Sequence, residues 1–247
     1  MPPRAADTAL LPHHGPTPAL AEVHRAIVSC DRCPRLRTYC QQIAVTRRAA
    51  FRDETYWGRP VPGFGDPGAR LLIIGLAPAA HGANRTGRVF TGDGAGGSGD
   101  FLMTAMHASG FSSQPISRHP GDGLQLRDAF IAAAVRCAPP DNKPTPAEFE
   151  RCEPHLLAEW NALPRVRVVL CLGTLAWASA WKLLGVRGYA IPRPRPPFAH
   201  GAVVRVDDSV TVLGAYHPSR QNTHTGRLTA SMLADVFGTA RQLLRNA

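Results

Sequence analysis

Lysine is nearly missing from this chain of 247 residues, although Lys and Arg together number 28. The two lysines are Lys143 and Lys182. Set against 18 Asp and Glu, the basic residues give a formal charge of +10. A charge of this size indicates a polyanionic partner, with nucleic acid as the first choice. Arginine binds phosphate through two N–H groups at once, which suits that role, although a high-GC genome would also enrich it.

Long apolar runs are also missing. No stretch approaches the ~20 residues that a membrane-spanning helix needs, so we expect no membrane contact. The first residues lack the hydrophobic segment of a secretory signal, which predicts a cytoplasmic protein. We expect residues 1–16 to form a flexible tail and residues 17–247 to form a single domain.

The common nucleotide-binding loops are absent too. The stretch Leu71–Gly99 starts as a short apolar strand and continues as a glycine-rich loop, without a lysine or a G-x-x-x-x-G-K-[ST] motif. Its functional side chains are His81, Asn84, Arg85, Arg88, Phe90 and Asp93. Because glycines let a backbone approach a ligand closely, this composition favours a site for a flat, polar ligand with an anionic backbone. The alternative is an ordinary flexible surface loop.

Apolar runs alternate with helical patterns along the rest of the chain. Strands are predicted at Leu71–Ile74, Phe130–Val135, Val166–Leu172 and in a hairpin at 203–213. This alternation predicts a three-layer α/β/α fold with a mainly parallel central sheet. The loops at Gly75, Cys137 and His217 each follow a strand, so we expect them to meet at one edge of the sheet and form a cleft.

Six cysteines occur in a chain without a secretory signal, which favours metal or cluster ligation over disulfides. The two candidate ligand pairs are Cys30 with Cys33 and Cys137 with Cys152. Four thiolates suit a structural zinc ion or an iron–sulfur cluster, and the spacing does not choose between them. Cys171 lies among apolar strand residues and is expected to be a buried packing residue. Cys40 is either a helix-packing residue or an alternative ligand.

Three motifs together resemble the uracil-DNA glycosylase superfamily, and specifically its iron–sulfur branch, family 5. They are GLAPAAHGANRTGRVFTGD at 75–93, RCAPPDNKP at 136–144 and HPSRQNTHTGRLT at 217–229. The resemblance implies an enzyme of DNA repair that flips uracil out of DNA, hydrolyses its N-glycosidic bond and leaves an abasic site. It also implies that other deaminated bases, such as hypoxanthine, are substrates. It also implies a [4Fe–4S] cluster on the two cysteine pairs.

The resemblance and the chemistry of the side chains assign roles to the cleft residues. Phe90 would stack on the flipped base, Asn142 would pair with its edge, and His217 would donate a hydrogen bond to the oxygen that gains charge as the base leaves. The backbone at Gly75 and Ala77 would complete the base pocket. Plainer interpretations are core packing for Phe90, a turn residue for Asn142 and a loop residue for His217.

The sequence departs from the superfamily pattern in two places. Leu76 follows the first glycine, where many relatives carry a polar residue that positions water. Asp93 is expected to replace that polar residue, either by orienting water or by stabilising the cationic sugar. The alternative is that Asp93 is only a turn residue. The closing loop is polar where relatives insert an apolar wedge into DNA, so either Gln221 or Arg220 is expected to fill the gap left by the flipped base, or the wedge comes from another loop.

The remaining predictions concern partners. DNA contacts are expected from Arg85, Arg88, Ser219, Arg220 and Gln221. The protein is expected to be a monomer associated with the nucleoid. The competing hypothesis is a non-catalytic iron–sulfur or zinc protein that binds nucleic acid, which would not need Asp93, Asn142 and His217 to converge.

Overall fold

The computed structural model describes residues 16–246, so residues 1–15 of the predicted tail lie outside it. The strands within that range are β1 Phe64–Gly65, β2 Leu71–Gly75, β3 Ala129–Ala133, β4 Val168–Leu172, β5 Val203–Arg205 and β6 Thr211–Ala215. The helices are α1 Pro18–Val28, α2 Pro34–Thr46, α3 Ala83–Thr86, α4 Ser98–Ala108, α5 Pro146–Asn161, α6 Thr174–Val186, α7 Arg220–His224 and α8 Ala230–Arg245. Short 3₁₀ turns occur at Ala49–Phe51 and Pro140–Asn142.

The strands form one sheet in the order β1-β3-β2-β4-β6-β5. The four inner strands run parallel, with Leu71 of β2 opposite Ala129 on one side and Val168 on the other. The edge strands β1 and β5 are antiparallel to their neighbours. Since the inner strands point the same way, the loops that follow them leave from one edge of the sheet.

Burial explains why these strands read as unbroken apolar runs. Every residue of β2, β3 and β4 is buried, because helices cover both faces of the sheet. One hydrophobic cluster contains Ile73 and residues of α4 and α8, and the other contains Ile74 and residues of α5 and α6. The predicted three-layer α/β/α fold with a mainly parallel sheet is therefore confirmed.

The helix starts follow the sequence signals. Thr17 accepts a hydrogen bond from the N–H of Leu20 at the start of α1, and Thr145 forms a capping box with Glu148 at the start of α5. Three short elements, β1, α3 and α7, were not predicted. No helix in the described part of the chain is long and apolar enough to cross a membrane.

Candidate active site

The loops that follow β2, β3 and β6 meet around one cavity of about 670 Å³. The predicted site residues that line it are Gly75, Ala77, Phe90, Asp93, Asn142, His217, Ser219, Arg220 and Gln221. The cleft expected at this edge of the sheet is present, and Asp93, Asn142 and His217 share it. That convergence is what the non-catalytic hypothesis does not require.

Phe90 forms one wall of the cavity because glycine makes room for its ring. A Cβ atom on Gly75 would lie 2.9 Å from Phe90 Cε2, so a side chain there would displace the ring. The backbone of Phe90 has φ +49°, a conformation that residues other than glycine rarely adopt. On its other side the ring meets His217, with ring centroids 5.9 Å apart. The loop geometry thus holds an aromatic face beside the imidazole.

Asp93 is enclosed by the glycines of the same loop. Its carboxylate accepts a hydrogen bond from the N–H of Gly99 at 3.2 Å and packs directly on Gly82. A Cβ on Gly97 would come within 2.5 Å of Asp93 Cβ. Burial raises the pKa of Asp93 to about 6, and the opposing effects of the Gly99 hydrogen bond and the Arg220 charge are smaller. Asp93 therefore titrates close to neutral pH.

His217 begins the closing loop directly after β6. Burial lowers its pKa to about 4, so the imidazole is neutral at pH 7 and carries one N–H donor. Its backbone oxygen accepts hydrogen bonds from the side chain of Asn222 at 2.8 Å and from the N–H of Ser219 at 2.8 Å. The loop is consequently fixed by its own polar residues, and Ser219 also caps α7 through its hydroxyl.

Arg220 and Gln221 are exposed at the rim of the cavity, on the first turn of α7. Arg220 also reaches across to donate a hydrogen bond to the backbone oxygen of Asp93 at 3.1 Å. Two loops that are far apart in the sequence are tied together by this contact.

Asn142 projects from the loop after β3 in an unusual backbone conformation. Asp141 and Asn142 have φ values of +54° and +56°, two successive residues in the left-handed region. Both are exposed and both line the cavity. Strain of this kind is concentrated at functional sites, where the surrounding structure holds it in place.

The expectation that Arg85 and Arg88 contact DNA is corrected by their burial. Arg85 lies 8% exposed, bonded to Glu54 and to the backbone oxygen of Gly92 at 2.6 Å. Arg88 lies 6% exposed and pairs with Asp122 at 2.7 Å. Because both guanidinium groups are buried and bonded to other groups of the protein, they stabilise the loop and are not exposed for contact with DNA.

Sequence reasoning missed a part of the cavity wall. Arg48 and Phe51, at the 3₁₀ turn after α2, line the cavity beside His81, which the sequence singled out without assigning it a role. The basic character of the segment after α2 was the available signal for Arg48. Nothing in the sequence around Phe51 distinguishes it from an ordinary linker residue.

The candidate cysteine ligands gather on one side of this cavity wall. Cys33, Cys137 and Cys152 belong to one buried cluster, and Cys30 lies partly buried at the end of α1. The backbone N–H of Arg136 donates to Cys152 Sγ at 3.2 Å, and burial raises the pKa of this thiol to about 12. In the described residues, no three His, Cys, Asp or Glu side chains are arranged to hold one metal ion.

The surroundings of these thiols fit a larger group. Arg136 is 1% exposed and His155 is 4% exposed, yet Arg136 Nε and Nη1 and His155 Nε2 have no hydrogen-bond partner among the described residues. His155 follows Cys152 by three residues, so both lie on one face of α5. Unpaired buried donors are costly. Acceptor atoms such as cluster sulfides would satisfy them.

The other two cysteines are both fully buried. Cys171 is fully buried in β4, as predicted. Cys40 is fully buried on α2, and its Sγ faces the backbone oxygen of Ala138 at 3.6 Å. Cys40 also lies beside Cys137, so it borders the thiol group.

A mainly parallel sheet covered by helices on both faces, with a cavity at the ends of its inner strands, defines a three-layer α/β/α protein with a cleft at one edge of the sheet. Residues 62–241 match the family model described as "Uracil DNA glycosylase superfamily". The chain belongs to this superfamily.

Curated relatives narrow the placement. A Type-5 uracil-DNA glycosylase of Mycobacterium leprae is 50% identical, over 91% of this chain and 96% of its own length. One from Thermus thermophilus is 48% identical, over 89% of this chain and 95% of its own length. A Type-4 uracil-DNA glycosylase of Archaeoglobus fulgidus is 28% identical. The resemblance to family 5 inferred from the three motifs is confirmed.

Proposed function

We propose that this protein is a DNA repair glycosylase that hydrolyses the N-glycosidic bond of uracil in DNA and leaves an abasic site. The observation that carries the proposal is the shared cavity of Phe90, Asp93, Asn142 and His217, which supplies a stacking face, an acid, an amide and a neutral imidazole. The Type-5 relatives, which are named for this activity, support it.

The base must first leave the duplex, because its glycosidic bond is inaccessible within the stack. Phe90 offers the face on which the flipped base stacks, and stacking tolerates any planar base. Asn142 offers both a donor and an acceptor to the edge of the base. A substrate range that includes other deaminated bases such as hypoxanthine follows from this pair, since neither contact is restricted to uracil.

Hydrolysis breaks the bond between the sugar C1′ and the base nitrogen, and the bonding electron pair departs with the base. The N–H of His217 stabilises the charge that develops on the base oxygen. A neutral imidazole can serve here because it still carries one N–H donor. The base afterwards takes a proton from solvent.

The sugar becomes cationic as the base departs, and a water oxygen bonds to C1′. Asp93 is the residue to which we assign this half of the reaction. Its carboxylate stabilises the cation and accepts the proton that the water loses. With a pKa of about 6, the group is mostly ionised at neutral pH.

We also propose that Cys30, Cys33, Cys137 and Cys152 hold a [4Fe–4S] cluster. When bound, the cluster supplies a covalent link between the end of α1, the loop after β3 and α5. The loop that begins at Cys137 also carries Asn142, so this link would fix the base-reading loop. The unpaired donors of Arg136 and His155 support the presence of such a group.

DNA is proposed to approach the rim formed by Ser219, Arg220 and Gln221. Gln221 and Arg220 are the candidates for filling the gap in the stack. We propose association with the nucleoid because the proposed substrate is DNA, and the monomeric state stays a prediction.

The test is excision from a labelled duplex with a single uracil, followed by hot alkali to cleave at abasic sites. Cleavage at uracil and not at a matched thymine supports the proposal, and duplexes with hypoxanthine then rank the bases. The Asp93→Asn variant, purified identically, controls for contaminating glycosylases. Failure of an iron-loaded preparation to cleave either substrate would favour the non-catalytic nucleic-acid-binding hypothesis.

A further inference from the structure

His81 lies in the cavity wall and has no part in the reaction described above. It directly precedes Gly82, on which the carboxylate of Asp93 packs. Its backbone oxygen accepts a hydrogen bond from Arg85 Nε at 2.9 Å. The buried Arg85 therefore fixes the main chain of His81 next to the group to which the chemistry is assigned.

The His81 ring is fixed as well. Its Nδ1 is 3.0 Å from the hydroxyl oxygen of Tyr56, and the two rings meet edge to face with centroids 6.0 Å apart. Tyr56 is 7% exposed, and its hydroxyl oxygen accepts the backbone N–H of Arg48 at 3.3 Å. A ring with both a stacking partner and a hydrogen bond has little freedom to turn.

Counting donors and acceptors favours one of the two ring nitrogens of His81 as the one that carries the proton. The Arg48 N–H can only donate, so the Tyr56 hydroxyl accepts it and keeps its own hydrogen to donate. If that hydrogen goes to His81 Nδ1, every group in the chain is satisfied. If Nδ1 carried the proton, the buried Tyr56 hydrogen would have no acceptor there, at a cost in free energy. The proton of neutral His81 therefore lies on Nε2.

Nothing in the described residues accepts a hydrogen bond from His81 Nε2. The positive charges that act on the ring are those of Arg48 and Arg85, and together with burial they lower the pKa of His81. A neutral ring with one nitrogen bonded to Tyr56 thus lines a cavity proposed to receive a nucleotide. Its second nitrogen is free to bond an acceptor oxygen of the substrate.

We propose that His81 Nε2–H donates a hydrogen bond to an acceptor oxygen of the flipped nucleotide, either the 4-carbonyl of the base or an oxygen of the adjoining phosphate. The proposal rests on the proposed function. His81 differs from Asn142, whose amide offers either polarity by rotating. Tyr56 keeps His81 a donor, so it attracts a carbonyl and repels the amino group that occupies the same place before deamination.

The first test compares variants on uracil duplexes under single-turnover conditions. His81→Phe keeps the ring against Tyr56 and removes the donor, and we expect kcat/KM to fall about tenfold to a hundredfold. His81→Gln places an amide N–H near the position of Nε2 and should recover most of the loss. Tyr56→Phe releases the ring and should cost about threefold. His107→Phe, an exposed histidine at the end of α4, is the matched control and should have no effect.

Modified substrates identify the acceptor. A 2-pyrimidinone base lacks the 4-carbonyl of uracil, and a methylphosphonate beside the uridine lacks a charged phosphate oxygen. If His81 contacts the carbonyl, His81→Phe and wild type should process 2-pyrimidinone at the same rate. If it contacts the phosphate, they should become equal on the methylphosphonate. An undiminished difference on both substrates overturns the proposal.

Nitrogen NMR of the free, full-length protein provides a readout independent of activity. The expected signals are those of a neutral His81 at pH 7 with its proton on Nε2, changing to a mixture of tautomers in Tyr56→Phe. A proton on Nδ1 in the wild type contradicts the inference. Uracil excision by wild type distinguishes failure of the His81 proposal from failure of the proposed function. If wild type excises uracil and His81→Phe has no effect, only the His81 proposal is overturned. If wild type does not excise uracil, the proposed function is overturned and the His81 proposal with it.

Discussion

The cavity loop and the cysteine region lie side by side and differ in how their buried polar groups are paired. In the loop, the guanidinium groups of Arg85 and Arg88 each bond to a carboxylate and to other loop groups. In the cysteine region, Arg136 has only Glu159 as a side-chain partner, and His155 Nε2 has none among the described residues. The buried guanidinium groups of the loop are thus paired within the chain, whereas polar atoms of Arg136 and His155 have no partner among the described residues.

The difference separates two ways of building a site. The cavity is shaped by close contacts with glycine, such as Phe90 on Gly75, and by buried ion pairs. Its geometry is therefore present before any ligand binds. In the cysteine region, three of the proposed ligand thiols share one buried cluster, and neighbouring polar atoms have no partner among the described residues. Changes in the cavity should alter chemistry, and changes in the cysteine region should alter stability and metal content.

The largest effect is expected from Asp93→Asn, which should slow uracil excision about 10²- to 10⁴-fold. The same change should stabilise the fold. The pKa of Asp93 is about 6 in the folded protein, above its ordinary value of 3.8, so ionising the buried group opposes folding. The gain should be about 1–3 kcal/mol at pH 7 and vanish below about pH 4, where the wild-type group is protonated in both states.

Urea unfolding at pH 4 and pH 7 measures the gain, and single-turnover excision measures the loss. Asp235→Asn, an exposed aspartate on α8, is the matched control and should change neither quantity. A variant that loses activity and stability together would mean that Asp93 is a structural turn residue.

His217→Phe is expected to slow excision about 10²- to 10³-fold, the range seen when one donor to a developing negative charge is lost. Binding of uracil duplex should change little, because the hydrogen bond strengthens only as the base departs. Rate and affinity are measured separately by single-turnover kinetics and fluorescence anisotropy. A large loss of affinity with an unchanged rate would contradict the assigned role.

In the cysteine region, Cys152→Ala should abolish the iron content and visible absorption of the purified protein. Its Tm should fall by several degrees, since about 1 kcal/mol corresponds to about 2–4 °C in a domain of this size. Cys171→Ala, at an equally buried cysteine within the sheet, should keep its iron. Full iron in Cys152→Ala, or stoichiometric zinc without iron in wild type, would contradict the proposed cluster.

The smallest effect is expected from Gln221→Ala at the cavity rim. Excision from duplex DNA should slow about threefold to tenfold, because the gap left by the base is less well filled. Excision from single-stranded DNA should be unaffected, since no such gap forms there. Gln41→Ala, an exposed position on α2, is the control. Equal losses on both substrates would exclude a wedge role.

Much of the fold could be predicted because the parallel strands are buried on both faces. The runs Leu71–Ile74 and Val168–Leu172 are apolar throughout, and Thr145 with Glu148 marks a helix start by a local hydrogen-bond pattern. The strand Phe64–Gly65 was missed because two residues among prolines and glycines carry no periodic signal. Its place depends on pairing with Phe130 and Ile131, which are distant in the sequence.

The residues of the site could be predicted where a sequence motif contains them. Their roles could not be predicted where those roles depend on contacts with residues that are distant in the sequence. Arg85 looks available for DNA in the sequence, but its partner Glu54 lies 31 residues earlier. Arg88 likewise meets Asp122, 34 residues later. The contact between His81 and Tyr56 was equally unpredictable from the sequence, since only the folded chain brings the hydroxyl to the imidazole.

The central claim is that this preformed cavity excises uracil with Asp93 as its ionisable group. The most direct measurement is the pH dependence of single-turnover excision by wild type and Asp93→Asn. The wild-type rate should rise through an apparent pKa near 6 and level off above it, because Asp93 acts in its ionised form. The slow residual rate of Asp93→Asn should show no such rise. The same rise in both proteins, or none in wild type, would contradict the account.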